Sequence, residues 1–332
     1  MTMSVDMHQF IGVDLGGTNL RAAVVDTSSG SYSYLTSIET LAREGHDAVM
    51  IRMADLIERV IAVSGLNKDQ IGGVGIGVPG VLDLDRGLTM FLPNLPGTWP
   101  HVPLRDTIAD RVGLPIVLLN DVRAMTLAEW QFGAGRGVDT IACFAIGTGI
   151  GGGLVVNGQL HLGIGGTGGE LGHQTIDFNG PLCGCGNRGC LEAYASGPAI
   201  AAMGAKAVMQ GLTTRLGELI DYDLNRLTPR VIYDAACAGD ALARDIFEQA
   251  GFYIGVAAAN VIVAVGPRKV VIGGGVSQAG ELLLEPIRRT VRDRVRVMPV
   301  EQVSIVPAEL GPQAGLIGAA LWARQSHLAA LT

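Results

Sequence analysis

The stretch Asp14-Leu15-Gly16-Gly17-Thr18-Asn19 stands between two apolar runs, residues 10–13 and 20–25. Apolar run, glycine turn, apolar run predicts a β-hairpin whose tip lets another molecule approach the backbone closely. The arrangement returns half a chain later. Residues 140–146 lead into Gly147-Thr148-Gly149-Ile150-Gly151-Gly152-Gly153, and residues 154–157 follow. Two copies of one device predict duplicated lobes facing a shared cleft.

Strands and helices alternate around these hairpins. Apolar residues recur at three- and four-residue steps over 47–63, which predicts a helix. A buried strand is expected over 71–78, stopped by Pro79-Gly80, then a helix over 104–112 and a strand over 116–119 ending at Asn120-Asp121. Helices over 122–132, 191–210, 240–265, 282–295 and 312–331, with a strand over 270–272, complete an α/β reading. The expected division is an N-terminal lobe over 1–121 and a larger lobe over 122–311. The helix 312–332 packs back on the first lobe.

The bulk properties agree. A chain of 332 residues is long enough for two cores, and 48% apolar against 17% charged residues argues against disorder. A net charge of −7 lacks the basic footprint of a nucleic-acid binder. Residues 1–9 have neither the charged start nor the apolar core of a signal peptide. The longest apolar stretch, 251–266, is too short to span a bilayer and contains Asn260, so it reads as a buried helix. These features point to the cytoplasm and away from membranes.

Three glycine junctions and one cysteine cluster carry the chemistry. The turn Asp14 to Thr18 presents backbone N–H groups that suit phosphate oxygens, with the Thr18 hydroxyl beside them. Asp14, at a strand end, is a carboxylate suited to Mg²⁺. A plain glycine hairpin explains the first turn equally well, but the second copy, with Thr148 and Gly149, favours nucleotide phosphates. No GxxxxGK[ST] loop is present, and a strand follows Gly16-Gly17 where a dinucleotide fingerprint needs a helix. Residues 270–276 form a third strand-to-glycine junction. There Gly274 and Gly275 offer a flat surface for adenine, or meet the needs of a turn with positive φ. His173, Cys183, Cys185 and Cys190 have the spacing His-x9-Cys-x-Cys-x4-Cys, a closed set of four ligands for a structural Zn²⁺. Zinc there would pin Glu170 and Glu192 around one point, a shell for reading sugar hydroxyls. Asp121 fits a carboxylate that takes a proton from an attacking hydroxyl, and Asn120 could orient the sugar. A helix cap is the other reading of that pair, and the two are compatible.

Together Asp14 to Thr18, Asn120-Asp121, Gly147 to Gly153, Glu170-Leu171-Gly172-His173 and Cys183 to Glu192 resemble the ROK family of repressors, open-reading-frame proteins and sugar kinases. The resemblance runs from about Phe10 to about Ala323. It implies an actin-like, two-lobed α/β fold of the hexokinase/Hsp70, ribonuclease H-like type, with ATP in the interlobe cleft. It implies a structural zinc on His173, Cys183, Cys185 and Cys190, the base at Asp121, and Mg²⁺ with the nucleotide. Sugar contacts would fall on Gly80, Asn94, Asn120, Asp121, Glu170, His173 and Glu192. Nucleotide contacts would fall on Asp14, Gly16, Gly17, Thr18, Thr148, Gly149, Gly274 and Gly275. Family analogy also suggests a homodimer. Asn94-Leu95-Pro96-Gly97-Thr98-Trp99 resembles the Asn-Leu-x-Gly-Trp stretch of the family's glucokinases, with one residue inserted.

One departure stands out. Family kinases usually follow Asn-Asp with small residues and another asparagine, whereas Val122-Arg123 follows here. The guanidinium is expected to bind phosphate, pair with an acid, or face solvent. With the first hairpin beginning near residue 10, the additional winged helix of a repressor is not expected here. The expected activity is a hexose kinase, glucose first. N-acetylglucosamine or N-acetylmannosamine comes next, with fructose or allose behind, and a non-catalytic sugar sensor is the non-enzyme reading.

Overall fold

The computed structural model describes residues 7–93 and 95–331, and these form two compact units. The first takes in the chain up to Arg136, Leu160–Gly169 and everything from Leu310 onward. Its main sheet has the order β3-β2-β1-β4-β7, built from β1 (Gln9–Leu15), β2 (Asn19–Asp26), β3 (Ser31–Glu39), β4 (Val74–Val78) and β7 (Ile116–Asn120). A small separate hairpin joins β5 (Val81–Asp83) to β6 (Leu88–Phe91). Strand β1 runs antiparallel to β2 and parallel to β4, which in turn is parallel to β7.

The two-residue side-chain alternation of a strand sorts β1 between two layers. Ile11, Val13 and Leu15 pack with α1 (His46–Ser64) and α2 (Leu104–Val112). Phe10 packs on the opposite face with α3 (Asp121–Phe132) and the C-terminal helix Ala314–Leu331. That helix lies very close to the sheet: a Cβ at Gly75 would collide with the carbonyl oxygen of Ala319. Helix α3 lies as close to it, since a Cβ at Gly318 would strike the Ala124 carbonyl. This packing explains why the unit runs on to Arg136, where the sequence suggested a division at Asp121.

The second unit comprises Gly137–Gln159 and Glu170–Glu309. Its sheet, β10-β9-β8-β11-β12, uses β8 (Ile141–Ile146), β9 (Ile150–Val156), the two-residue β10 (Gln159–Leu160), β11 (Lys269–Gly273) and β12 (Ser304–Pro307). Strand β8 is antiparallel to β9 and parallel to β11, the relation β1 has to β2 and β4. The duplication expected from the two hairpins is therefore real at the level of strand topology. Around the sheet lie α4 (Glu192–Ala195), α5 (Gly197–Met209), α6 (Leu216–Leu219), α7 (Pro229–Cys237), α8 (Ala241–Val265) and α9 (Glu281–Arg294).

Three stretches repay comparison with the sequence. The single helix expected over 191–210 is two, because Ser196 caps α5, accepting the Ala199 N–H at 3.4 Å, and proline occupies the first turn. The apolar stretch 251–266 is the second half of α8 and its capping Gly266, and the 25 residues of α8 are long enough to cross a bilayer. Most of its apolar side chains are packed in the unit's own core. Strand β3 escaped the sequence reading because it is an exposed edge strand with no buried face to set a period.

Candidate active site and metal centre

Asn120 closes β7 and caps α3. Its Oδ1 accepts the backbone N–H groups of Val122 and Arg123, both at 3.1 Å, and its Nδ2 donates to the Gly80 carbonyl at 3.1 Å. The cap reading of Asn120 is thus realised, and it ties Gly80 to the start of α3. Asp121 is the first residue of that helix, and its Oδ1 accepts the Val122 N–H at 2.9 Å. A carboxylate there lies at the carboxyl end of a parallel strand and at the positive end of a helix dipole.

Asp14 reaches the same place from β1. It is in register with Gly77 of β4, which is in register with Leu119 of β7. Gly77 has no side chain to separate the two acids: the Asp121 Cα lies 3.7 Å from where its Cβ would stand. Asp14 is partly buried, and its pKa is raised from 3.8 to about 6. Burial is the main cause and the Asp121 charge the second, opposed by Arg21 at 3.9 Å. Two carboxylates held together in a half-dry site suit a divalent cation, and the oxygen donors match Mg²⁺.

A raised carboxyl pKa in the fold means that ionising Asp14 opposes folding. The stability it contributes is present in acid and lost as pH rises through about 6. Asp14→Asn is therefore expected to raise stability at pH 8 by on the order of 1–3 kcal/mol, with little change at pH 4. Thermal melts at the two pH values check this, and a variant less stable than the parent at pH 8 would contradict it.

The tip of the first hairpin is braced from beneath. The Gly16 N–H donates to the Asn19 carbonyl at 2.9 Å, and the Thr40 N–H donates to the Thr18 carbonyl at 2.8 Å. The Thr40 hydroxyl donates to the Gly16 carbonyl at 2.7 Å. Gly16 therefore spends its amide on the turn, while Gly17 and Thr18 are exposed. Among the described residues, neither the Gly17 nor the Thr18 amide has a protein acceptor. The second tip repeats this: the Gly147 N–H donates to the Gly149 carbonyl at 2.9 Å and Thr148 is exposed. Thr40 has no signal of its own in the sequence, being 24 residues from its partner.

Gly274 and Gly275 separate the two readings of the third junction. Gly274 has φ 84°, and a Cβ there would collide with the Ile146 carbonyl, so the fold itself demands glycine. Gly275 has open space where a Cβ would stand and lines a cavity of about 100 Å³ with Pro229, Arg230, Tyr233, Phe247 and Gln278. Gly275→Ala is expected to leave the melting temperature within about 2 °C of the parent, whereas Gly274→Ala costs about 2 kcal/mol or more. If Gly275 serves the nucleotide, its alanine variant raises the KM for ATP alone. An unchanged KM would leave Gly275 without that role.

The metal centre is compact. One donor atom from each of His173, Cys183, Cys185 and Cys190 lies within 4.8 Å of the others. The Cys185 and Cys190 sulfurs are 3.7 Å apart, as are Cys183 Sγ and His173 Nδ1. The edge of a tetrahedron with Zn–S bonds of about 2.3 Å is about 3.8 Å, so the donors stand where a tetrahedral Zn²⁺ needs them. Glu192 is anchored alongside, with Oε1 3.7 Å from Cys183 Sγ and Oε2 accepting the Ile150 N–H at 2.9 Å. The His173 N–H donates to the Glu170 carbonyl at 3.1 Å. Glu170, His173 and Glu192 all belong to the second unit, with Glu192 set beside a cysteine of the cluster and the Glu170 backbone tied to that of His173. Asn94 lies outside the described residues.

The ROK family pattern matches residues 10–326. The chain belongs to the ROK family. A glucokinase of Thermotoga maritima is 39% identical to it over 315 residues, 94% of this chain and 96% of that protein. A xylose repressor of Caldicellulosiruptor bescii is 30% identical over 318 residues, 96% of this chain and 78% of the repressor. The crystal structure of a ROK family glucokinase from Streptomyces griseus in complex with glucose and AMPPNP matches with a TM-score of 0.80 at 35% identity. It covers 96% of this chain and 99% of that one. This ROK chain accordingly has the actin-like α/β fold, and its two sheets are the duplicated halves of that architecture.

Proposed function

We propose that this chain transfers the γ-phosphoryl group of ATP to a hydroxyl of glucose, giving glucose 6-phosphate, with Asp121 as general base. It is an ATP-dependent sugar kinase, the activity carried by relatives similar over nearly its whole length. The observation that carries the mechanism is the carboxylate pair at the ends of β1 and β7, one acid at a helix start and one suited to a cation. The sugar oxygen attacks the γ-phosphorus and its proton passes to Asp121. The O–P bond forms as the bond to the β–γ bridging oxygen breaks, releasing ADP. Mg²⁺ supplies charge neutralisation for the phosphate oxygens, and Asp14 is the residue proposed to hold it, directly or through water.

The backbone amides of Gly17, Thr18, Thr148 and Gly149 are proposed for the phosphates, with Gly16 shaping its turn and Gly274 and Gly275 set against the adenine. Gly80, Asn94, Asn120, Glu170, His173 and Glu192 are proposed for the sugar. The cluster is proposed to hold one structural zinc, leaving His173 Nε2 for a hydroxyl. A cytoplasmic homodimer completes the proposal on family resemblance.

The test is a coupled ADP-release assay across glucose, N-acetylglucosamine, N-acetylmannosamine, fructose and allose. Fastest turnover with glucose supports the reading. Preference for an N-acetylhexosamine would move the substrate and keep the reaction. Similarity to a xylose repressor at 30% identity favours one second reading, a sugar sensor without catalysis. A sensor would bind a sugar in calorimetry and release no ADP.

A further inference from the structure

We propose that Arg123 is a positioning residue for sugar binding, clamping the neck of the loop that leads into Glu170. The inference rests on the reading above that Glu170 contacts the sugar. Arg123 stands on α3 two residues past Asp121, and it is only 2% exposed. Its backbone N–H is held by the Asn120 cap, and its Nε donates to the Gly168 carbonyl at 2.7 Å. None of the three fates expected from the sequence includes holding a backbone carbonyl.

The segment it holds is unusual. The Gly168 N–H donates to the Leu162 carbonyl at 2.6 Å, closing residues 162–168 into a loop. At its neck the backbones of Gly163 and Gly168 touch, for a Cβ on Gly163 would stand 2.8 Å from the Gly168 Cα. Thr167 ties the tip, its hydroxyl donating to the Ile164 carbonyl at 2.7 Å, while the Ile164 side chain is 94% exposed. Glycine occupies positions 163, 165, 166, 168 and 169. A segment this rich in glycine has much backbone freedom to lose. Glu170 follows directly after Gly169, at the end of this segment.

A guanidinium stays charged at any working pH, and burying it is costly unless its hydrogen bonds are used. A leucine would fill the same space without that cost. What arginine adds is a directed, charge-assisted donor to a carbonyl on a floppy segment, projected from the helix that also carries the base. The clamp thus fixes the neck of the loop to α3 within the first unit, two residues short of Glu170 in the chain.

Steady-state kinetics of Arg123→Gln test this. The KM for glucose is expected to rise about tenfold, the size of one lost charged hydrogen bond, with kcat within about threefold and the KM for ATP unchanged. Arg123→Lys, which keeps a charged donor, is expected to recover part of the loss, and it carries the same measurements should the glutamine variant not fold. Hydrogen exchange over residues 162–169 should quicken in either variant, which reads the clamp without catalysis. An unchanged glucose KM, or equal rises in both KM values alongside a lower melting temperature, would make Arg123 a packing residue and overturn the proposal. If the parent releases ADP with no hexose, the functional reading fails on that assay alone. Unchanged exchange over the loop would then still sink the clamp.

Discussion

Asp121→Asn is expected to lower kcat by about 10³-fold while leaving glucose binding measurable. The substitution keeps the shape of the side chain and an oxygen that can accept the Val122 N–H, which Asp121 accepts at 2.9 Å. Asn120 continues to cap α3, so the helix start should hold its geometry. What is removed is the basic oxygen that takes the hydroxyl proton, an interaction made only as the reaction proceeds. Loss should therefore appear in kcat and hardly in the sugar's Kd. Removing the charge also relieves Asp14, whose pKa of about 6 is partly due to Asp121, so Asp14 should titrate lower in the variant. Isothermal titration with glucose alongside the ADP-release assay checks the first expectation. A variant with near-parental kcat would end the assignment of Asp121 as base.

Cys185→Ser is expected to abolish stoichiometric zinc and to cost about 3 kcal/mol or more of stability, a fall of roughly 6–10 °C in melting temperature. Cys185 is the informative choice among the four ligands. It is exposed, whereas Cys183 and Cys190 are buried. Serine at position 185 thus removes a ligand without opening a cavity, and the effect reads the metal alone. The loss should spread to the sugar, because Glu192 Oε1 lies 3.7 Å from Cys183 Sγ and the Glu170 carbonyl accepts the His173 N–H. Elemental analysis should find about one zinc per parent chain. A chelator should lower the parent's melting temperature toward that of the variant. A zinc-free preparation with the parental melting temperature and activity would refute the metal centre.

What could be read from the residues alone was local. The hairpins were legible because an apolar run, a glycine turn and another apolar run need no distant information. The metal cluster was legible because its four donors fall within eighteen residues, His173 to Cys190, and a thiol-rich donor set has few other uses. Helix α1 announced itself by period, and Ser196 with Pro198 in the first turn broke α5 from α4 by a rule the periodicity ignores. Strand β3 could not be found, since an exposed edge leaves no alternation to see.

The sequence by itself determined that this chain would build two copies of one sheet around glycine turns and would gather three thiolates and an imidazole. Tertiary structure alone decided what is adjacent across distance. Asp14 and Asp121 are 107 positions apart and meet because Gly77 lies between their strands with no side chain. Gly274 and Gly275 look alike in sequence, yet Ile146 crowds only the first. Arg123 reads from sequence as a phosphate binder, an acid's partner or a solvent-facing charge, and only the fold shows it turned inward to the Gly168 carbonyl. The physical reason is common to all three. A residue's type sets what it can do, but its pKa, its freedom and its partner depend on which atoms the packed chain brings to it.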